Sequence, residues 1–189
     1  IHANLVGGQD ELVFDGASFA MNHRGELTHQ LQEFAEVIEL IDIHNQQPTK
    51  GQLAAPQLPI ASIYQALCLG VKDYIRKNGF PGALLGLSGG VDSALTLAIA
   101  VDALGADNVR TVMMPSQYTA DISLADANEM VELLGIKHYQ CSIQSLFDQY
   151  LSTVEADLHI SPDPNGSNTM PENLQARIRG TLLMALSNQ

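Results

Sequence analysis

Six consecutive residues, Ser88-Gly89-Gly90-Val91-Asp92-Ser93, put two hydroxyls, two glycines and a carboxylate into one short turn. Leu84-Leu85-Gly86-Leu87 before them reads as a buried strand, and Ala94-Leu95-Thr96-Leu97-Ala98-Ile99-Ala100 after them as a helix. The first N–H groups of a helix have no partner inside it, and the helix dipole adds positive charge there. A phosphate or pyrophosphate fits such a place. A Cβ at Gly89 or Gly90 would block the unusual φ values of the turn and the close approach of the anion. The Walker loop needs a lysine after its glycines, and the dinucleotide fingerprint needs Gly-x-Gly-x-x-Gly; Gly86 and Gly89 satisfy neither spacing. An acid stands where the Walker loop has a base. Mg²⁺ takes oxygen ligands from both protein and nucleotide, so Asp92 is the expected magnesium ligand. The alternative is an ordinary strand-to-helix turn in which Asp92 only stabilises the helix start.

A second polar group stands near the C-terminal end. Asn173, Arg177 and Gly180 fall on one helical face at spacings of four and three. Asn173 and Arg177 could meet an anionic or amide-bearing ligand. The alternative is a solvated polar face with Gly180 allowing close helix packing.

The elements that must position these groups follow from periodicity. Ala3-Asn4-Leu5-Val6 reads as a strand closed by Gly7-Gly8; Leu12-Val13-Phe14 and Ala17–Met21 are further strands, and Glu26–His29 returns as a hairpin partner. Such ribbons cannot bury their own apolar faces, so this segment reads as the edge of something larger. Residues 45–59, with Pro48, Gly51, Pro56 and Pro59, read as a linker. From Ile60, the stripe Ile63, Leu67, Val71, Tyr74 predicts a helix stopped at Asn78-Gly79. A strand at 84–87, a helix to Leu104, a strand at 109–114, a helix capped by Ser123, a strand at 138–143 and a helix over 144–158 then alternate. Ser161–Asn168 is a loop dense in breakers, and a last helix starts near Thr169, with Thr169 and Glu172 as a capping box. The alternation predicts an α/β fold with a doubly wound parallel sheet, whose ligands sit at the strand C-termini. That rule brings Ser88–Ser93 beside Met114–Tyr118.

Composition narrows the function. The chain has 189 residues, 46% of them hydrophobic, and a net charge of −12. That balance argues against binding a nucleic-acid backbone. No apolar run approaches the length of a membrane span. An anionic substrate must therefore be met by local donors and Mg²⁺. The two cysteines, Cys68 and Cys141, suit a reducing, cytoplasmic setting and read as core residues.

Ser88–Ser93 resembles the pyrophosphate loop of ATP pyrophosphatases of the adenine nucleotide α-hydrolase-like group. That resemblance implies ATP binding by Gly86, Leu87, Ser88, Gly89, Gly90, Val91, Asp92 and Ser93, with Ser88 and Asp92 acting on the reacting phosphates. It also makes Met114 an adenine shelf, although a buried strand methionine reads equally well. Asn4–Phe19 is similar to the end of the nitrilase-like amidase fused to glutamine-dependent NAD⁺ synthetases. The amidase catalytic residues of that family lie upstream of Gly7-Gly8-Gln9-Asp10-Glu11-Leu12 and are not in this chain. Glu172–Gly180, followed by Leu183–Asn188, is similar to the signature after the substrate loop of NAD⁺ synthetases. There the asparagine contacts deamido-NAD⁺, a role carried to Asn173 and more weakly to Arg177. Gln117 stands where that family has a basic residue.

The resemblance implies residues 1–44 as a β-rich remnant of a nitrilase-like α/β sandwich and 60–189 as a C-terminally incomplete synthetase domain. It implies a ligase in NAD biosynthesis. ATP with Mg²⁺ would activate deamido-NAD⁺ as an adenylate, and ammonia from glutamine would form the amide, with AMP and pyrophosphate released. It also implies a homo-oligomer acting on small molecules, with neither nucleic acid nor membrane as partner. The readings left open are another pyrophosphate-loop adenylating amidotransferase and a non-catalytic ATP-binding module.

Overall fold

A computed structural model describes residues 1–159 and 169–188. The chain divides into two compact units, Ile1–Pro81 and Gly82–Gln189. Among the described residues, no helix is long and apolar enough to cross a membrane.

The first unit contains β1 (Val6–Gln9), β2 (Leu12–Asp15), β3 (Phe19–Met21), β4 (Leu27–Gln30), β5 (Ile43–His44), β6 (Gln47–Pro48) and α1 (Pro59–Lys77). The strands form three antiparallel ribbons, β1–β2, β3–β4 and β5–β6. The first strand differs from the expected Ala3–Val6, because Gly7 and Gly8 lie inside it rather than closing it. The reason is α1. The Gly8 N–H donates to Asp73 Oδ2 at 2.8 Å, and Lys77 Nζ donates to the Gly8 carbonyl at 2.6 Å. A Cβ on Gly8 would sit 3.0 Å from Gly70 Cα. Helix and ribbon therefore meet through small residues and a polar clamp. Of the expected apolar stripe, Ile63, Leu67 and Tyr74 are exposed and only Val71 is half-buried.

Part of the segment read as a linker is paired with β4. The Gln30 N–H donates to the Gln52 carbonyl at 3.0 Å and the Ala54 N–H to the Gln30 carbonyl at 2.8 Å, so residues 52–54 run beside β4. The compact division falls after Pro81, and α1 packs on β1 and β2.

The second unit contains β7 (Ala83–Gly86), α2 (Val91–Leu104), a 3₁₀ turn (Ala106–Asn108), β8 (Val109–Met113), α3 (Asp121–Leu134), β9 (Lys137–Gln140), α4 (Gln144–Leu158) and α5 (Met170–Ser187). β7, β8 and β9 form one parallel sheet, as the alternation predicts, and lie side by side in chain order. Successive residues of β8 point to opposite faces. Val109 and Met113 enter a core with Leu97 and Ala100 of α2 and Ala127 of α3. Val112 enters a second core with Ile143, Phe147 and Ile178, beneath α4 and α5. Helices thus cover both faces, which makes the sheet doubly wound.

Two expectations on this unit change. α3 begins at Asp121 with Ala120 at its N-cap, so Ser123 lies in the first turn instead of capping it. A turn upstream, in which the Thr119 N–H donates to the Ser116 carbonyl at 3.0 Å, feeds the chain into the helix earlier. Cys141 is exposed rather than buried; Cys68, on α1 of the first unit, is partly buried. The expected loop Ser161–Asn168 lies outside the described residues.

Thr111 is fully buried on β8, and its hydroxyl meets His138 Nδ1 of β9 at 2.8 Å. His138 Nε2 is buried with no partner among the described residues. Burial holds the imidazole below its ordinary pKa. The unfolded chain therefore takes up this proton first as pH falls, and the folded state loses stability below about pH 6.5. We expect the unfolding midpoint of the protein to fall between neutral and mildly acid pH, and His138→Asn to flatten that slope. An unchanged slope in the variant would assign the acid sensitivity to other groups.

Candidate nucleotide and substrate site

The loop is set by the two elements that flank it. The ladder between β7 and β8 continues one residue past β7, where the Leu87 N–H donates to the Val112 carbonyl at 3.0 Å. Leu87 is buried, and Leu97 of α2 is wholly so, which pins both ends of the turn to the core. Between them, Ser88 and Ser93 come together with their hydroxyl oxygens 2.9 Å apart. The Ser88 N–H donates to Ser93 Oγ at 3.3 Å, the Gly90 N–H to Ser88 Oγ at 3.2 Å, and Ser93 Oγ to the Gly90 carbonyl at 2.8 Å. The loop thus closes on its own hydroxyls at the start of α2. The two N–H bonds are long, and their donors can exchange a hydroxyl for a phosphate oxygen, which is the better acceptor.

The two glycines are not equivalent, contrary to the expectation that both need unusual φ values. Gly89 has φ +80°, and a Cβ there would lie 2.2 Å from the Ser123 carbonyl oxygen of α3. Gly90 is the N-cap of α2 at φ −89°, a region open to any residue. Asp92 is exposed in the first turn of α2, and its backbone carbonyl accepts Thr96 Oγ1 at 2.8 Å. A cavity of about 360 Å³ opens beside the loop toward α3, lined by Leu87, Gly89, Gly90, Val91, Asp126 and Met130 among others.

The end of β8 stands next to the loop, as the fold rule predicts. Met114 is buried; a Cβ on Gly86 would lie 3.5 Å from both Met114 Cε and Leu183 Cδ1 of α5. Its side chain is a floor beneath the end of β7, part of the core with Val112 and Phe147. The residues beyond are held by the loop after β9. The Ile143 N–H donates to the Pro115 carbonyl at 2.9 Å, and the Gln117 N–H to Gln144 Oε1 at 2.7 Å. Gln117 thus has its backbone fixed, while the residue is exposed.

α5 carries Asn173 and Arg177, both exposed. The expected capping box does not form. Thr169 is in neither an extended nor a capping conformation, and its Oγ1 accepts Asn173 Nδ2 at 3.3 Å instead. Arg177 Nη1 folds back to donate to the Asn173 main-chain carbonyl at 3.1 Å, so the guanidinium lies over the turn that carries Asn173. Nothing among the described residues lies within 4 Å of a Cβ built on Gly180, so close helix packing is not its use here.

A further polar cluster escaped the sequence reading. Gln175 is buried, and its Oε1 accepts Ser116 Oγ at 2.8 Å and Arg179 Nη2 at 3.4 Å. Arg179 Nε donates to the Met114 carbonyl at 3.1 Å. Burial lowers the Arg179 pKa from its ordinary value. Helical periodicity assigns polar residues to solvent, so it carried no signal for Gln175.

A parallel sheet wound on both faces, with Ser-Gly-Gly-x-Asp-Ser between the first strand of that sheet and the helix after it, defines a protein of the adenine nucleotide α-hydrolase-like fold. The NAD synthase family model matches residues 63–189, and the chain belongs to that family. It is 44% identical over 191 residues to a glutamine-dependent NAD(+) synthetase of Acinetobacter baylyi, covering all of this chain and 35% of that protein. Among solved structures, the glutamine-dependent NAD+ synthetase of Acinetobacter baumannii in complex with ADP superposes with a TM-score of 0.92 at 44% identity, over all of this chain and 35% of that one. NMN synthetase from Francisella tularensis shares the fold at a TM-score of 0.61 and 28% identity, over 70% of this chain and 52% of that one. The chain spans about a third of the length of its glutamine-dependent relatives.

Proposed function

We propose that the full-length protein is a ligase that amidates nicotinate-adenine dinucleotide to NAD⁺, using ATP and glutamine-derived ammonia. The observation that carries this reading is the self-closed Ser88–Ser93 loop at the carboxyl end of β7, in a sheet against which α5, the helix bearing Asn173 and Arg177, packs. ATP lies with its phosphates at residues 86–93 and its base above the floor that contains Met114. The nicotinate carboxylate oxygen attacks the α-phosphorus, the bond to the bridging β-oxygen breaks, and pyrophosphate leaves. Ammonia then adds to the acyl carbon, AMP departs with the former carboxylate oxygen, and a proton is released. The loop N–H groups with Ser88 and Ser93 hold the leaving pyrophosphate. Asn173 and Arg177 orient the acyl substrate. No side chain serves as a nucleophile, because positioning and electrostatics suffice for this chemistry.

Mg²⁺ fits this site as a shared ion. No cluster of three or more metal-ligating side chains occurs among the described residues, and a magnesium held jointly with substrate phosphates needs only one or two carboxylates. Asp92 would hold it, and the bound ion would offset charge on the pyrophosphate. We further assign residues 1–44 to the end of a nitrilase-like glutaminase domain, 45–59 to a connector and 60–189 to the synthetase domain of a cytoplasmic homo-oligomer.

The test is pyrophosphate release by the full-length protein from ATP and Mg²⁺, with the dinucleotide and either ammonia or glutamine. Release that needs the dinucleotide and yields NAD⁺ supports the reading. Release only with the corresponding mononucleotide would align the protein with the Francisella tularensis relative instead. ATP binding without release on any acceptor would leave a non-catalytic module.

A further inference from the structure

We propose that Gln175 and Arg179 are positioning residues which lock the rotation of α5 against the carboxyl end of β8 and thereby set the affinity for the acyl-bearing substrate. This rests on the reading above, in which Asn173 and Arg177 orient that substrate. Leu174 and Ile178 already attach α5 to the core. Apolar contact is non-directional, however, and tolerates small rotations and slides. Hydrogen bonds are directional and do not. Arg179 reaches the Met114 carbonyl through Nε and Gln175 through Nη2, and Gln175 reaches the next segment of chain at Ser116. One fork thus ties two points just past β8 to one turn of α5. Asn173 lies just before this fork and Arg177 between its two members, both on the exposed side of α5, so a rotation of the helix would displace both.

The chemistry of the cluster favours positioning over adhesion. Arg179 is partly desolvated, and its partners in the described residues are a carbonyl and an amide, with no carboxylate among them. Apolar residues would hold a helix to a sheet at lower desolvation cost. What a planar guanidinium adds is a fixed two-point geometry that a lysine cannot reproduce.

The experiment is steady-state pyrophosphate release by the full-length protein, with ATP and dinucleotide varied separately, alongside unfolding midpoints. Arg179→Met and Gln175→Leu should raise the dinucleotide KM by about tenfold or more, and leave the ATP KM within about twofold. Arg179→Lys keeps the charge without the fork and should show most of that rise. Gln175→Glu keeps both acceptor contacts and should stay within about threefold of the unsubstituted protein. Lysine and glutamate variants are mild enough to fold if the more severe pair does not. If Arg179→Lys has the dinucleotide KM of the unsubstituted protein, the lock is overturned. A fall in kcat and midpoint with both KM values unchanged would also overturn it, leaving a purely structural role. Failure of the unsubstituted protein to release pyrophosphate would instead sink the proposed reaction.

Discussion

Asp92→Asn in the full-length protein should lower pyrophosphate release by about 10²–10³-fold while leaving the unfolding midpoint unchanged. The carboxylate is exposed and makes no side-chain hydrogen bond among the described residues, so the fold gives it nothing to hold. Asparagine keeps its size and its suitability for the first turn of a helix. What it loses is the negative charge, and with it the ability to share a hard cation with phosphate oxygens. ATP binding measured by calorimetry separates the two readings of this residue. If Asp92 is a magnesium ligand, the magnesium dependence of ATP affinity weakens in the variant. If it only complements the helix dipole, the variant should lose a few tenths to about 1 kcal/mol of stability and keep its turnover at limiting Mg²⁺.

The parts of this molecule that were legible in the sequence are those written locally. The strand, turn and helix at 83–104 depend on residues adjacent in the chain, and the hydroxyl pair Ser88 and Ser93 needed only the turn to bring it together. The parallel sheet followed from alternation of elements with crossover helices between them. What failed to show was set by partners distant in sequence. The face that α1 packs on the first ribbon is chosen by Gly7 and Gly8, which admit Gly70 and Asp73 and leave Ile63, Leu67 and Tyr74 exposed. Gln175 reads as a surface residue until Ser116 is seen beneath it and Arg179 beside it. Thr169 and Glu172 have capping-box spacing, yet Asn173 takes the threonine hydroxyl. In each case a local rule was right about the residue's chemistry and blind to the competitor that claimed it. Asn173 and Arg177 show the same limit from the other side. Periodicity placed them on one face, and the structure has them in contact, but nothing in the period distinguishes a ligand patch from a solvated one.

The difference between the two loop glycines yields the second large effect. Gly89→Ala meets two penalties at once. A left-handed backbone at φ +80° disfavours any L side chain by about 1–2 kcal/mol. The new Cβ would also stand 2.2 Å from the Ser123 carbonyl oxygen and 2.7 Å from its carbonyl carbon and Cα. Those are backbone atoms of α3, so no side chain can swing aside; the helix or the loop must move. Overpacking of that kind adds about 1–3 kcal/mol. We expect Gly89→Ala to destabilise the protein by about 2–5 kcal/mol in total and to lower kcat/KM for ATP at least about 100-fold, since a moved loop no longer aligns the phosphates. Gly90→Ala is the matched control. Its φ of −89° suits alanine, and the nearest atom to a new Cβ is Ser88 Oγ at 3.4 Å, an ordinary contact. That variant should lose under about 1 kcal/mol, the usual loss for alanine at an N-cap. Any loss of ATP affinity it shows then measures how closely a phosphate approaches Gly90. Denaturant midpoints of the two proteins decide the matter. Equal destabilisation would mean that α3 does not press on Gly89, and the loop would then owe its shape to its own hydroxyls alone.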